Sequence, residues 1–169
     1  MKEIKLSQWG KHKGMVAFVD DSDFDFINQW RWHARSYKTS RTFYAVRKDY
    51  ANCKKTVLMH RVILNPRKDM ITDHKDHNGL NNQRSNLREC TRVENSRNCL
   101  PTGKYQYMGI CHDKVTRPSG KHYDYIVPKI SINGSSTRLG VCKTEIQAAK
   151  RYDAAARFFY GEFANLNFK

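Results

Sequence analysis

The run from Thr72 to Asn95 reads Thr-Asp-His-Lys-Asp-His-Asn-Gly-Leu-Asn-Asn-Gln-Arg-Ser-Asn-Leu-Arg-Glu-Cys-Thr-Arg-Val-Glu-Asn, and no other stretch constrains this chain as strongly. Asn78-Gly79 is a turn signal, because both residues accept the positive φ that tight turns need. Thr91-x-x-Glu94 has the spacing of a capping box, in which each side chain satisfies the other residue's backbone N–H. A helix is therefore expected from Arg92, with Asn95 on its first turns. The whole unit spans about residues 70–98.

The chain has 169 residues, which suits one medium domain or two small ones. Lys and Arg number 31 against 16 Asp and Glu, a formal net charge of +15 that concentrates polyanions. The cations are spread along the chain rather than gathered in a tail, which points to folded surfaces that meet a long polyanion. Charge alone also fits a ribosomal-type basic protein. No apolar run approaches the about 20 residues that span a bilayer, and Met1-Lys2-Glu3-Ile4-Lys5 lacks a secretory apolar core, so no membrane partner is expected. Five cysteines (Cys53, Cys90, Cys99, Cys111, Cys142), with no C-x-x-C pair, read as reduced thiols of a cytoplasmic protein.

Residues 14–19 suggest a strand, and Asp20-Asp21-Ser22 a helix cap ahead of Phe24, Phe26, Ile27 and Trp30. Residues 30–34 and 43–47 suggest two strands joined by a polar turn, with Trp30 and Trp32 packed in a core. The apolar run Val57–Leu64 suits a short buried helix or a strand. Leu100-Pro101-Thr102-Gly103 breaks the pattern and marks a boundary. Beyond it, residues 107–110, 126–132 and 137–141 read as strands, with Asn133-Gly134 turning between the last two. Thr144-x-x-Gln147 then caps a helix whose Ala148, Ala149, Tyr152, Ala155, Ala156 and Phe159 share one face, and Gly161 ends it.

The Thr72–Asn95 segment resembles the ββα-metal nuclease motif of the HNH type. The likeness runs from Met59-His60-Arg61 through Asp73-His74, Asn78-Gly79-Leu80 and Arg84-x-Asn86-Leu87-Arg88 to Asn95 and Asn98, in the order found in phage-type HNH homing endonucleases. The resemblance implies that Asp73-His74 closes one strand, that Asn86-Leu87 opens the next, and that Asn95 lies on the following helix. It further implies that His74 is the general base, which suits an imidazole largely neutral at pH 7. Asp73 and Asn95 would hold a divalent ion, Mg²⁺ or Mn²⁺, since both offer hard oxygen donors. Asn86 would tie the hairpin and help orient His74. Asn95 stands where the final His of the motif's name is expected, as is common in the homing branch. A structural zinc, which some HNH enzymes carry, lacks the usual paired cysteine spacing.

Alternatives remain beside each role. His77 is a rival base, Asn98 a rival for Asn95, and Asp76 a further metal ligand or a solvated acid. His60, which interrupts an apolar run, is expected in the core. Arg61, Arg84 and Arg88 are candidate phosphate contacts, with surface solvation as the other reading.

Residues 105–167 resemble the DNA-binding domain of plant Apetala and ethylene-response-factor transcription factors. The residues that carry the likeness are Gly109-Ile110, Lys129-Ile130, Leu139-Gly140, Glu145 with Ala148-Ala149, Tyr152-Asp153-x-Ala155-Ala156, Gly161 and Ala164-Asn165-Leu166-Asn167. The resemblance implies a three-stranded antiparallel sheet laid in the major groove with a helix behind it. The contact positions carry Met108, Cys111, Lys129, Ser131, Ser136 and Arg138, where the plant family has mostly Arg and Trp, so the target sequence of the plant proteins does not carry over, whereas DNA binding through phosphates does. The other reading is a small α+β domain built by Ile126, Ile130 and Ile132.

The expectation is thus an α+β protein in two parts. Residues 1–100 form an HNH nuclease region, with a β-rich part at 1–56 and the core at 57–100, and residues 101–169 form a DNA reader. It would cut double-stranded DNA at a site in a metal-dependent reaction, as a monomer on DNA that nicks one strand. Rival readings are a DNA-binding regulator with an inactive nuclease motif and a restriction-type or non-specific nuclease.

Overall fold

The computed structural model describes residues 1–7, 12–37, 41–51, 55–100 and 106–168. Cys53, the middle of the polar turn at 38–40 and the break at 101–103 lie outside them. The described residues form a mixed α and β chain of small antiparallel sheets, compatible with an α+β fold. They divide into two units, Met1–Asn95 and Ser96–Lys169.

In the first unit β1 (Lys2–Lys5) pairs with β2 (Val16–Val19), and α1 (Asp21–Ile27) follows. Asp20 occupies the cap position of α1, but its side chain makes no cap bond and instead accepts from Gln83 Nε2 and the Arg84 N–H. Strands β3 (His33–Ser36), β4 (Phe43–Asp49) and β5 (Lys55–Leu58) make an antiparallel sheet in that order. The strand expected at Trp30 begins only at His33. Trp32 is buried and its indole N–H donates to the Ile27 carbonyl at 2.8 Å, which draws it onto the end of α1 instead of into the ladder. The Val57–Leu64 run does both things foreseen for it: Val57 and Leu58 end β5, and α2 (Met59–Leu64) starts at once, ending on Asn65 in the left-handed conformation. Ile4, Leu6, Ala17, Val19, Ile27, Trp32, Met59, Ile63 and Leu87 close the core. Then come β6 (Ile71–His74), antiparallel to β7 (Leu87–Cys90), and α3 (Arg92–Arg97). The capping box forms as expected: Glu94 N–H donates to Thr91 Oγ1 at 3.2 Å, and Thr91 N–H to Glu94 Oε2 at 2.8 Å.

In the second unit β8 (Ile110–Thr116), β9 (His122–Ile132) and β10 (Ser135–Arg138) form an antiparallel sheet ordered β10-β9-β8. Asn133 and Gly134 both have positive φ in the β9–β10 turn. The strand expected at Tyr107 starts at Ile110 because the chain turns at Gly109, whose φ is +72° and whose missing Cβ leaves room for the Tyr152 ring. Helix α4 (Glu145–Tyr160) is capped by Thr144, whose Oγ1 accepts from the Gln147 N–H. It buries Ala148, Ala149 and Ala156 as expected, but Asp153 and Tyr160 turn inward and Phe159 stays exposed. The physical reason is polar. Asp153 accepts from the Asn167 N–H, Asn167 Nδ2 and the Phe168 N–H, and Tyr160 Oη donates to the Ser131 carbonyl, so these groups fix the buried face.

Candidate active site

Asp73 and His74 end β6, opposite Arg88 and Leu87 of β7. Both are buried, at 7% and 6% exposure. A buried imidazole needs a partner for its N–H. His74 Nε2 lies 3.2 Å from Oδ1 of Asn82, a residue with no exposure at all. The Asn82 amide nitrogen is taken by the Leu80 carbonyl at 3.2 Å and Met59 Sδ at 3.5 Å, so its oxygen is the atom that faces the ring. An oxygen accepts only, hence Nε2 carries the proton of the neutral ring and Nδ1 its lone pair.

The loop that carries Asn82 is fixed by distant strands. Phe18 N–H donates to Leu80 O and Asn82 N–H to Phe18 O, both at 2.8 Å, so β2 holds the loop as an extra bridge. Gly79 lies against β4, where a Cβ would come within 2.5 Å of the Phe43 carbonyl, and its N–H donates to Thr42 Oγ1. Only glycine allows that approach.

Aromatic rings wall the imidazole. His60 stands edge-on to His74 with centroids 4.9 Å apart, and Tyr44 touches both. His60 is buried, as the sequence suggested, and burial, reinforced by His74 and Arg61, pushes its pKa down to about 3. Burial also lowers that of His74, against the opposing pull of the Asn82 hydrogen bond and of Asp76 and Asp73. A neutral imidazole at neutral pH is what a general base requires.

Asp73 forms a buried ion pair. Arg88 Nε and one terminal nitrogen reach its Oδ2 at 2.9 and 2.8 Å, and the Arg88 side chain is only 9% exposed. Arg88 is therefore a partner of Asp73 and not a surface cation. Arg84, by contrast, is half exposed but forks onto Asp23 at 2.7 and 2.8 Å. Arg61 is exposed on α2. Asn86 knits the loop: its Nδ2 donates to Asp76 Oδ1 and the Asn81 carbonyl, and its Oδ1 accepts from the Asp76 N–H. Burial raises the Asp76 pKa, but these bonds, with those from Asn81 Nδ2 and the Asn78 N–H, outweigh it and hold the carboxyl below the usual range. His77 sits in the turn with φ +64°, and its N–H donates to the His74 carbonyl. Asn95 is half-buried on α3, and Asn98, just past that helix, is buried.

The residues that sequence reasoning missed are Asn82 and, as a wall of the site, Tyr44. The second asparagine of Asn81-Asn82 gave no signal beyond the turn around it.

A divalent ion is what the resemblance implies, and the donor set suits it. Asp73 offers carboxylate oxygen and Asn95 amide oxygen, the hard donors that Mg²⁺ and Mn²⁺ take. Among the described residues no cluster of three or more His, Cys, Asp or Glu gathers, so further ligands would come from water and phosphate, as Mg²⁺ commonly arranges. Thiolate coordination is disfavoured at Cys90, where burial and then Asp73 push the thiol up to about 11.

In the second unit, Lys129 and Arg138 lie opposite one another on β9 and β10, as do Ser131 and Ser136. This is the sheet face turned away from Ile130, which packs with Ala156 and Tyr160. Asp113 of β8 binds both cations, with Lys129 Nζ at 3.0 Å, and Lys129 also reaches Cys111 Sγ. Met108 belongs elsewhere: its backbone bonds the Asn167 side chain.

A strand that ends in Asp73-His74, its antiparallel partner β7 and the helix α3 that follows make up the site. The chain is 29% identical over 160 residues to an uncharacterized HNH endonuclease of Acanthamoeba polyphaga mimivirus, a match that covers 94% of this chain and 78% of that protein. The likeness supports a nuclease of the HNH type. No family model and no solved structure matches the chain.

Proposed function

We propose that this protein is a metal-dependent, site-specific DNA endonuclease of the HNH homing type that hydrolyses a phosphodiester bond in double-stranded DNA. The observation that carries the reading is the buried His74–Asn82 pair beside Asp73 at the end of β6. Asn82 holds Nε2–H, and Nδ1 of His74 takes the proton of an attacking water. Water opens the phosphorus–oxygen bond, and the 3′ oxygen leaves. Asp73 and Asn95 would hold Mg²⁺ or Mn²⁺, which when bound neutralises charge on the phosphate and on the leaving oxygen. Arg88 fixes the plane of the Asp73 carboxylate. Asn86 keeps the loop in shape. Arg61 contacts phosphate, as Arg84 does where Asp23 leaves its outer edge exposed.

In this proposal the second unit is an ethylene-response-factor-like reader that presents Lys129, Ser131 and Arg138 to DNA. The charge of +15 and the placement of these residues on one sheet face support it. Asp113 holds the two cations in place until phosphates compete for them.

The test is supercoiled plasmid incubated with the purified chain, with Mg²⁺ or Mn²⁺ and with EDTA. Metal-dependent cutting at discrete positions, lost in His74→Ala, is expected. DNA binding without cutting under any metal would favour the regulator reading, and scattered cuts a non-specific nuclease.

A further inference from the structure

The first unit carries a concave surface whose lining does not include His74. A cleft of about 530 Å³ is lined by Ser7, His12, Arg31, His33, Lys48 and Tyr50, over a floor of Trp32. That volume falls within the ~300–1,000 Å³ usual for small-molecule sites and is too small for a duplex. Among the described residues its lining holds two permanent cations, two imidazoles and no acid.

Lys48 lies two residues beyond Val46, the partner of His33, so His33 and Lys48 share one side of the sheet, and Arg31 lies just ahead of β3. Two cations that line one cleft with no acid among the lining residues repel each other, and an anion between them relieves that repulsion. His33 is kept neutral by burial and by the nearby Arg35 and Lys48, so its imidazole can donate one hydrogen bond and accept another. At the rim Tyr50 is 77% exposed, a large aromatic ring left in water. Cations beside an open aromatic face are the elements that grip unpaired nucleotides, through phosphate and base respectively.

We infer that this cleft binds an unpaired nucleotide of a DNA strand, with its phosphate on Arg31 and Lys48 and its base stacked on Tyr50. The site rests on the DNA reading above but extends it. It gives the nuclease a hold on a displaced or frayed strand that uses none of the residues of the catalytic loop or of the C-terminal sheet. A free nucleotide offers the same chemistry, and the experiment separates the two sources.

The experiment measures binding of fluorescein-labelled thymidine octanucleotide to the full chain by anisotropy, in EDTA and across a salt series, with thymidine monophosphate as competitor. The variants are Arg31→Ala, Lys48→Ala and Tyr50→Ala, with Lys150→Ala as a control that removes an exposed cation from α4. Tyr50→Ala should weaken binding about tenfold. Each cation variant should lower the slope of log affinity against log salt by about 0.7, the value for one phosphate left unneutralised on a single strand. Lys150→Ala should match the wild type. All three side chains can be cut without opening the core, and unchanged thermal melts check this. Wild-type affinity and slope in the three cleft variants overturn the inference, as does absence of octanucleotide binding. Monophosphate that competes as well, molecule for molecule, as the octanucleotide assigns the cleft to free nucleotides and overturns the strand assignment. Plasmid cutting that depends on His74 is scored separately, so the nuclease reading can stand or fall apart from the cleft.

Discussion

Asn82 and His74 are bonded side chain to side chain inside the first unit, Oδ1 to Nε2 at 3.2 Å, and the remaining hydrogen-bonding capacity of the Asn82 amide is spent on Leu80 and Met59. This bond selects the tautomer of His74. Asn82→Leu keeps the volume but removes the acceptor, so the proton is free to move to Nδ1 and silence the base. Cleavage should fall about 10–100-fold, the usual effect of losing a partner that orients an active-site imidazole. Stability should fall by ~1–3 kcal/mol, because the Leu80 carbonyl loses its donor. Single-turnover cleavage with a thermal melt checks both, and full activity in a folded variant removes Asn82 from the mechanism.

His74→Ala should lower cleavage by ~10²–10⁴-fold with DNA affinity kept, since a positioned base contributes about that much. Asp73 needs a different design. Its carboxylate faces buried Arg88, so Asp73→Ala strands a charge and should cost ~3–5 kcal/mol. The double variant Asp73→Ala, Arg88→Met should recover most of that stability yet stay inactive at any Mg²⁺ or Mn²⁺ concentration. Cleavage restored along with the fold would show that Asp73 is needed only for structure. Urea titrations and plasmid assays on the three proteins make the comparison.

The local elements around this loop were legible before the fold was known, and the reason is locality. Thr91 and Glu94 satisfy one another within a single turn, so neighbours in sequence suffice there, whereas the positive φ expected at Asn78-Gly79 falls on His77 and Gly79 is required by its approach to β4. Asn82 was not legible because its place depends on Phe18, far away in the chain, bridging the loop on both sides. Arg88 looked like a surface cation for a similar reason: only the β6–β7 register reveals that it stands opposite Asp73. On α4 the apolar pattern pointed to Phe159, but the bonds made by Asp153 and Tyr160 rotate the buried face. Hydrophobic spacing carries no information about such polar anchors.

Acid should destabilise the first unit in a window set by His60. The unfolded chain takes up a proton near pH 6.5, whereas folded His60 refuses it down to about 3, chiefly because of burial. Its folded pKa is lowered, so the stability it contributes is fully present above about 6.5 and is lost as pH falls toward 3. The slope is at most ~1.4 kcal/mol per pH unit for one such group. His74 shifts in the same direction and adds to it. Melts between pH 7.5 and 4.5 should therefore drop steadily, and His60→Phe should flatten the curve. An unchanged slope in that variant means that other groups govern acid unfolding.

The C-terminal sheet offers a test of the reader. Arg138 is exposed and tied to a carboxylate on its own sheet, Asp113. If it contacts a phosphate, Arg138→Ala should weaken duplex binding about equally across sequences and reduce the salt slope by ~1. Asp113→Asn should do the opposite, because it releases both Arg138 and Lys129 for DNA. Two variants on one sheet that move affinity in opposite directions are hard to explain by lost folding. Filter-binding isotherms at several salt concentrations distinguish the outcomes, and unchanged isotherms for both would place the DNA contacts elsewhere.

Which strands are cut should follow from the number of bases each chain brings to the duplex. The chain supplies one His74, and an ion held by Asp73 and Asn95 as proposed would serve one phosphodiester at a time. Its two units differ in structure, so a monomer held by an asymmetric reader has one orientation on the duplex. The same strand should therefore meet His74 in every binding event. No heptad pattern provides a helical dimer seam that would bring a second His74 to the other strand. The expected product is a nick at a fixed position. Supercoiled plasmid treated at limiting protein with Mg²⁺ should accumulate open circles, and primer extension on each strand should stop on one strand only. Linear DNA that appears without an open-circle intermediate, with a rate that rises as the square of protein concentration, would identify a pair of chains as the cutting species and overturn the monomer reading.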